Sequence, residues 1–216
     1  METKRDLFAP SFHLEDLKIE DRRRVYRGFF AMDLYTMSYP RFDGGRNEHL
    51  RREIFERGHN AVAVLPYDPV SDRVQLIEQF RPGALSDRDS PWLIEVIAGM
   101  IDSNEEPEQA VVREAREETG IELDPETFRM IADQFPSPGG CSERTALYVA
   151  KADLSNIQTH GGLASESEDI RVFTAPAQEA FLQCDNGRIH NAAALITLLY
   201  LRVHHDEIRR AYIKDA

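Results

Sequence analysis

The sequence predicts an α/β protein in which a mixed β-sheet lies between helices and a small antiparallel β-sheet precedes it. Residues 1–58 are rich in aromatic and β-forming side chains interrupted by turn residues. From residue 59 onward, apolar strand-like runs recur without a regular βαβ alternation, and an acidic helix lies among them. We therefore expect an N-terminal β-domain over residues 1–58, which serves dimerisation, and an α/β domain over residues 59–216.

The N-terminal segment has the pattern of a β-hairpin. Residues 25–39 form a single run of aromatic and β-forming residues, residues 43–46 have turn chemistry, and residues 49–55 resume a strand. Residues 16–21 can add a third strand. A sheet of this size is marginally stable alone, so we expect it to pack against another surface.

The remainder of the chain supplies the elements of the mixed sheet. Six runs are typical of strands: residues 61–65, 74–80, 91–98, 128–135, 145–150 and 170–173. Two segments near the end of the chain are predicted to be helical: residues 177–183 and 191–214.

The acidic helix follows the third of these strands. Pro107 is tolerated only in the first turn of a helix, and Ser103 and Glu106 have the spacing of a capping box. The helix should therefore begin between Ser103 and Pro107, and Gly120 should end it.

One face of this helix is expected to be anionic. Glu114, Glu117 and Glu118 are three and four residues apart, so their side chains share a face. Carboxylate oxygens suit hard divalent cations, and the stretch contains no Cys or His that would favour zinc. We predict a site for Mg²⁺ or Mn²⁺. The opposite side carries small or apolar residues that should pack against the sheet, namely Val112, Ala115 and Thr119.

Composition and charge restrict the possible partners. The chain of 216 residues has a formal net charge of −12 and a pI near 5.1, which argues against binding nucleic acid through bulk electrostatics. Its two cysteines, Cys141 and Cys184, have no paired spacing, so neither a disulfide framework nor a zinc site is expected. The N-terminus lacks the apolar core of a signal peptide, and the longest apolar run, residues 192–201, is too short to span a bilayer. We expect a cytoplasmic protein with no membrane partner.

Three loops are candidates for substrate contacts. Residues 81–87 place Arg81 at a turn, and the Pro/Gly-rich residues 137–144 can present backbone amides to an anion. Residues 159–169 begin with glycines and end with carboxylates, which suits a lid that delivers a general base, although a solvated surface loop has the same composition. Physical reasoning does not distinguish Glu166 from Glu168 as that base. With a magnesium cluster, these loops favour hydrolysis of a diphosphate by an activated water.

The central stretch resembles the Nudix box, a signature of fixed residue types at fixed spacing that surrounds the acidic helix. The matching positions are Gly99, Glu105, Arg113, Glu114, Ala115, Glu117, Glu118, Gly120 and Ile121. Resemblance to the Nudix hydrolases implies an α/β/α sandwich. It also implies substrates in which a nucleoside diphosphate is linked to another moiety.

Segments outside the box narrow the resemblance to the bacterial ADP-ribose pyrophosphatases within this family. They are residues 26–30, 51–59, 95–101, 137–144 and 162–172, and the resemblance covers about residues 24–205. It implies hydrolysis of ADP-ribose to AMP and ribose 5-phosphate with two or three Mg²⁺ ions, which Mn²⁺ can replace. It makes Glu166 the catalytic base. The metal ligands that it implies are the Ala98 carbonyl group, Glu114, Glu117, Glu118 and Glu168.

The same resemblance implies the substrate contacts. Phe29 and Arg52 would enclose the adenine, and stacking against an aromatic ring and a guanidinium plane suits a purine. The remaining contacts that it implies are Phe30, Glu53, Arg57, Arg81, Met100, Ser137, Pro138, Gly139 and Glu143.

The resemblance also implies a homodimer with exchanged N-terminal hairpins, in which Phe29 and Arg52 serve sites formed from two chains. Two other functions remain open. The chain could be a pyrophosphatase for another sugar nucleotide, such as GDP-mannose. It could also be a sensor that binds ADP-ribose without cleaving it, although such proteins usually lose glutamates of the box and this chain keeps them all.

Overall fold

A computed structural model describes residues 6–214 of the chain and divides it into two compact units. One unit consists of the described residues up to Gly58 together with Ser137–Glu143, and the other consists of His59–Pro136 and the chain from Arg144 onward. Residues 1–5, part of the segment that lacks a signal-peptide pattern, lie outside the described residues.

The first unit is built on a three-stranded antiparallel sheet. Its strands are β1 (Lys18–Arg27), β2 (Ala31–Pro40) and β3 (Arg46–Glu56), in the order β1-β2-β3. The prediction of a single strand over residues 25–39 is wrong, because a turn at Gly28 divides that run. The Gly28 N–H donates to the Phe30 carbonyl group at 2.8 Å, and the chain reverses there from β1 into β2.

The second unit contains an eight-stranded mixed sheet. Six of its strands follow the order β10-β11-β5-β4-β9-β8, and the other two pair at the ends of strands in this order, β6 with β5 and β7 with β4. Strands β4 and β9 are parallel, and all other neighbouring strands are antiparallel. Its strands are β4 (Ala61–Asp68), β5 (Arg73–Phe80), β6 (Trp92–Glu95), β7 (Ile97–Met100), β8 (Arg129–Gln134), β9 (Thr145–Lys151), β10 (His160–Gly161) and β11 (Ile170–Pro176).

The strand predicted at residues 91–98 is two short strands in the structure. Val96 lies between β6 and β7, so the chain leaves β5 at this residue and continues along β4. This transfer brings β7 beside the acidic helix.

Helices cover both faces of the mixed sheet, so the predicted α/β/α class is confirmed. Helix α1 (Pro107–Thr119) packs on one face, and helices α2 (Ala177–Asp185) and α3 (Ala192–Lys214) pack on the other. Alternate residues of β4 enter the two layers, since Val62 and Val64 face α1 whereas Ala63 and Leu65 face α2 and α3. No helix within residues 6–214 is long and apolar enough to cross a membrane.

Candidate active site

Helix α1 spans Pro107–Thr119 with Gly120 as its C-cap residue, within the predicted limits. Its cap differs from the predicted pair of Ser103 and Glu106. The backbone N–H of Glu106 donates to Gln109 Oε1 at 3.0 Å. Glu106 and Gln109 therefore take the positions of the capping box that the sequence assigned to Ser103 and Glu106.

The buried stripe of α1 includes one of the glutamates. Val111 and Ala115 are 0% exposed and Glu118 is 2% exposed, because positions i, i+4 and i+7 lie along one side of a helix. Val112, which the sequence assigned to this stripe, is only partly buried. The predicted separation of an apolar face from an anionic face is therefore wrong at Glu118, which points toward the sheet.

A close approach of β7 determines where the Glu114 carboxylate lies. A Cβ atom on Gly99 would stand 1.9 Å from the carboxyl carbon and from Oε1 of Glu114. A side chain at this position would displace the Glu114 carboxylate, so glycine allows the carboxylate to lie against β7.

Arg113 ties the loop before α1 to the glutamates of the helix. Its Nη1 donates to Glu114 Oε1 at 2.7 Å and to Glu117 Oε2 at 3.1 Å. Its Nη2 donates to the Met100 carbonyl group at 2.8 Å and to Glu105 Oε2 at 2.9 Å. The hydrogen bond from Arg113 lowers the pKa of Glu105 and, in return, raises the pKa of Arg113.

Glu118 lies in the least favourable surroundings for a charge. Burial raises its pKa well above the ordinary value, and the charges of Glu114 and Glu168 raise it further, while the Ala98 N–H, which donates to Glu118 Oε2 at 3.1 Å, lowers it. Burial also raises the pKa of Glu114. Carboxylates that repel one another in this way are stabilised by a bound cation.

The donor atoms fit a hard divalent cation. Within residues 6–214, one carboxylate oxygen each of Glu114, Glu117 and Glu118 accepts a hydrogen bond. The Leu163 N–H donates to one carboxylate oxygen of Glu168 at 3.2 Å. The second oxygen of each carboxylate remains for a metal ion. In the part of the chain that the structure describes, no group of three or more His, Cys, Asp or Glu side chains is arranged to hold a metal ion.

The loop that carries Glu166 and Glu168 is anchored on the last turn of α1. A Cβ on Gly161 would stand 1.8 Å from the Glu118 carbonyl oxygen, and the Gly162 N–H donates to the Glu117 carbonyl group at 3.1 Å. Sequence reasoning interpreted this loop as a candidate lid, and in the structure its glycines allow it to contact the helix backbone. Glu166 ends the exposed 3-10 turn Ala164–Glu166, and Glu168 is partly buried.

Arg81 directly follows β5 and is paired with a residue that sequence reasoning did not assign to the site. Its Nε donates to Glu95 Oε2 at 2.7 Å. Burial raises the pKa of Glu95, and the charge of Arg81 opposes that rise. The signal in the sequence was a lone acidic residue in the apolar run 91–98, which is unusual in a buried strand.

In the first unit, part of the predicted substrate set forms an aromatic and ionic cluster. Phe29 is 84% exposed at the turn between β1 and β2, and its ring contacts that of Phe30 edge-to-face at 4.8 Å. The Arg57 guanidinium lies 5.3 Å from the Phe30 ring centroid and donates through Nη1 to Glu143 Oε2 at 2.6 Å.

The other predicted residues of this unit lie on its surface. Arg52 and Glu53 are exposed on β3, and Arg52 Nη1 donates to the Arg51 carbonyl group at 2.9 Å. Residues Ser137, Pro138 and Gly139 are also exposed. Their turn is held to the end of β3, because the Phe55 N–H donates to the Gly140 carbonyl group at 2.7 Å.

The mixed sheet, the box helix and its carboxylates together define a class of protein. The model of the NUDIX domain family matches residues 57–194, and the chain belongs to this family. It is a Nudix hydrolase, and Nudix hydrolases generally use divalent metal ions.

Particular relatives are similar over nearly the whole chain. The ADP-ribose pyrophosphatase of Escherichia coli (strain K12) is 41% identical over 209 residues, which is 97% of this chain and 99% of that protein. The ADP-ribose pyrophosphatase of Haemophilus influenzae is 34% identical over 204 residues, 93% of each chain. A GDP-mannose pyrophosphatase of Escherichia coli O1:K1 / APEC is 34% identical over 179 residues, 82% of this chain and 90% of that protein.

Proposed function

We propose that this chain hydrolyses the diphosphate bond of ADP-ribose to AMP and ribose 5-phosphate in a Mg²⁺-dependent reaction. One observation carries the proposal: the glutamates of the Nudix box surround the buried Glu118 in a chain that is 41% identical, over 97% of its length, to an ADP-ribose pyrophosphatase. A cytoplasmic location remains a prediction of the sequence.

The residues proposed to hold two or three Mg²⁺ ions are the Ala98 carbonyl group, Glu114, Glu117, Glu118 and Glu168. When bound, the metal neutralises phosphoryl oxygens and lowers the pKa of a coordinated water. Arg113 supports these ligands, because its hydrogen bonds hold Glu114 and Glu117 while leaving one oxygen of each for the metal.

Glu166 is proposed as the general base. Its carboxylate would accept a proton from the attacking water as the water oxygen bonds to phosphorus and the bond from phosphorus to the leaving phosphate oxygen breaks. The proposal rests on the family resemblance and on the exposure of Glu166, two residues before the partly buried Glu168, which is proposed as a metal ligand.

Substrate recognition is proposed to use the residues that the family resemblance implies. Phe29 and Arg52 would enclose the adenine, and the exposed ring of Phe29 suits stacking. Arg81, whose Nε donates to Glu95 Oε2, would contact the diphosphate. The remaining residues proposed to contact the substrate are Phe30, Glu53, Arg57, Met100, Ser137, Pro138, Gly139 and Glu143.

The test is hydrolysis of ADP-ribose by the purified chain with Mg²⁺, with and without excess EDTA, followed by chromatography of AMP. Glu118→Gln should lower kcat by at least a hundredfold, because it removes a buried anionic ligand. Glu122→Gln is the matched control, since Glu122 is exposed and pairs with Arg116 on the outer side of α1. Its activity should match the wild type.

Two results would overturn the proposal. Absence of AMP from a folded protein supplied with Mg²⁺ would reject ADP-ribose as the substrate. Tight binding of ADP-ribose without release of AMP would instead favour a sensor.

A second candidate substrate is GDP-mannose, because GDP-mannose pyrophosphatases are 33–34% identical over about four fifths of the chain. The two substrates are distinguished by measuring kcat/KM for each under the same conditions. We expect the value for ADP-ribose to be at least tenfold higher, and the reverse order would reassign the base that the site recognises.

A further inference from the structure

We propose that Glu95 is a positioning residue of the active site, which holds the guanidinium of Arg81 in the orientation that binds the diphosphate of the substrate. The inference rests on the proposed contact between Arg81 and the diphosphate and adds a second residue to it. Glu95 does not itself contact the substrate, so its whole effect on catalysis passes through Arg81.

The pairing of β5 with β6 places Glu95 on the face of the mixed sheet that carries α1. Glu95 stands opposite Ile77 in the strand register, and residues directly opposite each other on antiparallel strands point to the same face. Ile77 belongs to the apolar cluster that contains Val111 and Ala115 of α1. The side chain of Glu95 is therefore on the same side of the sheet as the glutamates of the box, and only 12% of it is exposed.

Arg81 is held both at its backbone and at its side chain. Its backbone N–H donates to the Pro91 carbonyl group at 2.8 Å, and its Nε donates to Glu95 Oε2 at 2.7 Å. A guanidinium is planar, so a hydrogen bond at Nε determines the directions in which Nη1 and Nη2 present their N–H groups. Glu95 therefore determines the orientation of the outer edge of this guanidinium.

That outer edge remains for a ligand. Within residues 6–214, Nη1 and Nη2 of Arg81 donate no hydrogen bond, and 39% of the side chain is exposed. Two nitrogens in one plane can donate to two oxygens of a phosphate group. Burial raises the pKa of Glu118 and the positive charge of Arg81 opposes that rise, so the guanidinium lies within electrostatic reach of the box carboxylates.

The physical effect of Glu95 is to order Arg81 before the substrate binds. A free arginine side chain has many rotamers, and restricting them upon binding costs conformational entropy. Because the hydrogen bond to Glu95 restricts Arg81 in the folded protein, less of this entropy is lost when the substrate binds. Loss of Glu95 should therefore weaken the contribution of Arg81 without removing its charge.

The first experiment is a double-mutant cycle on kcat/KM for ADP-ribose. Glu95→Ala should lower kcat/KM at least tenfold in the wild type and less than about twofold in Arg81→Ala, because Glu95 acts only through Arg81. Glu95→Gln keeps the side-chain size and an acceptor for Nε, so it should retain more activity than Glu95→Ala. It also serves as the second variant in the cycle if Glu95→Ala does not fold.

The same two substitutions at Glu78 are the matched control. Glu78 is also a glutamate of the β5–β6 pair, with 20% of its side chain exposed, and it pairs with Arg171 and Arg188. It stands opposite Ile94, which packs in the cluster of α2 and α3, so it lies on the other face of the sheet. We expect both variants at Glu78 to have the kcat/KM of the wild type.

The second experiment does not depend on turnover. In ¹⁵N spectra of the full chain, the Nε–H resonance of Arg81 is assigned by its absence from Arg81→Ala. Its exchange with water should be slow in the wild type and in Glu78→Ala, and at least tenfold faster in Glu95→Ala, where its acceptor is missing.

An equal loss of kcat/KM from Glu95→Ala in both backgrounds would overturn the inference, because it would indicate a purely structural role. No loss in either background would overturn it as well, as would an Nε–H exchange rate that Glu95→Ala leaves unchanged. All three results leave the proposed hydrolysis intact. If the wild type releases no AMP, the proposed function fails instead, and the exchange rate still decides whether Glu95 holds Arg81.

Discussion

Glu118 is both a buried residue of α1 and a proposed metal ligand. Helical periodicity alone predicts that Glu118 lies near Glu114. The structure agrees, since the charge of Glu114 raises the pKa of Glu118. Periodicity does not predict which glutamate is buried. That depends on the approach of β7, whose Ala98 N–H donates to Glu118 Oε2 and whose Gly99 lies against Glu114. Residue spacing cannot reveal such a tertiary contact.

The contact at Gly161 leads to a prediction about catalysis. In Gly161→Ala the new Cβ would overlap the Glu118 carbonyl oxygen, so the loop carrying Glu166 and Glu168 must move away from α1. We expect kcat for ADP-ribose to fall at least tenfold in steady-state assays. Gly187→Ala, between α2 and α3, is the control, because nothing lies within 4 Å of its Cβ position and the residue belongs to none of the three candidate loops. An unchanged kcat in Gly161→Ala would show that the anchor is dispensable.

Asp33 leads to a prediction about pH. It is buried in β2, and hydrogen bonds from Arg24 and Arg22, at 2.8 and 2.7 Å, lower its pKa to about 2. Because the pKa of Asp33 in the folded state lies below the ordinary value of 3.8, its ion pairs stabilise the folded protein fully above about pH 4. This stabilisation is lost as the pH falls through 2.

We therefore expect Asp33→Asn to lower the urea concentration at the midpoint of unfolding at pH 7. The difference in midpoint between this variant and the wild type should shrink as the pH falls from 4 to 2. Asp21→Asn, at an exposed position of β1, should change the midpoint little at any pH. A difference between Asp33→Asn and wild type that does not depend on pH would contradict the assigned ion pairs.

Among the secondary structure elements, those with strong periodicity are the ones that the sequence predicts well. Helix α1 begins at the last residue of the predicted interval 103–107, and α3 begins one residue after its predicted start, because Pro107 and the apolar periodicity mark them. The N-terminal strand is wrong for the opposite reason. Its aromatic run continues through Gly28, and β-propensity does not show where a chain reverses.

Asn191 joins helix α3 to the mixed sheet, and this contact leads to a prediction about stability. Its Oδ1 accepts from the Ala194 N–H at 3.0 Å, and its Nδ2 donates to the Ile94 carbonyl group at 2.6 Å. Asn191→Ala should lower the free energy of unfolding by about 1–3 kcal/mol, as measured by urea denaturation. Asn191→Asp retains the cap but not the donor, so its stability should be intermediate; equal stability of all three proteins would exclude this role.

For the whole molecule, the metal should act as a stabilising ligand. Mg²⁺ is expected to bind the folded chain and to relieve repulsion around Glu118, so it should raise Tm by a few degrees at millimolar concentration. EDTA should reverse the shift without changing the far-ultraviolet circular dichroism, because the two apolar clusters of the α/β unit contain none of the proposed ligands' carboxylates.

The shift should disappear in Glu118→Gln and persist in Glu122→Gln. An identical shift in all three proteins would place the stabilising ion elsewhere on the chain.

The second prediction for the whole molecule is the oligomeric state. The first unit exposes large apolar side chains, among them Phe29 at 84% and Tyr26 at 64%, and a small sheet is marginal alone. We expect light scattering after gel filtration to give twice the chain mass of 24.7 kDa. An active monomer at micromolar concentration would reject the proposed dimer with exchanged hairpins.

The pairing of β4 constrains how the protein is made. Strands β1, β2 and β3 follow one another along the chain, so they can pair as soon as they leave the ribosome. Strand β4 must wait for its parallel partner β9, which is synthesised only after α1 and β8. A nascent chain that stops before Thr145 therefore exposes the apolar edge of Ala61–Asp68 and is expected to aggregate unless a chaperone covers it.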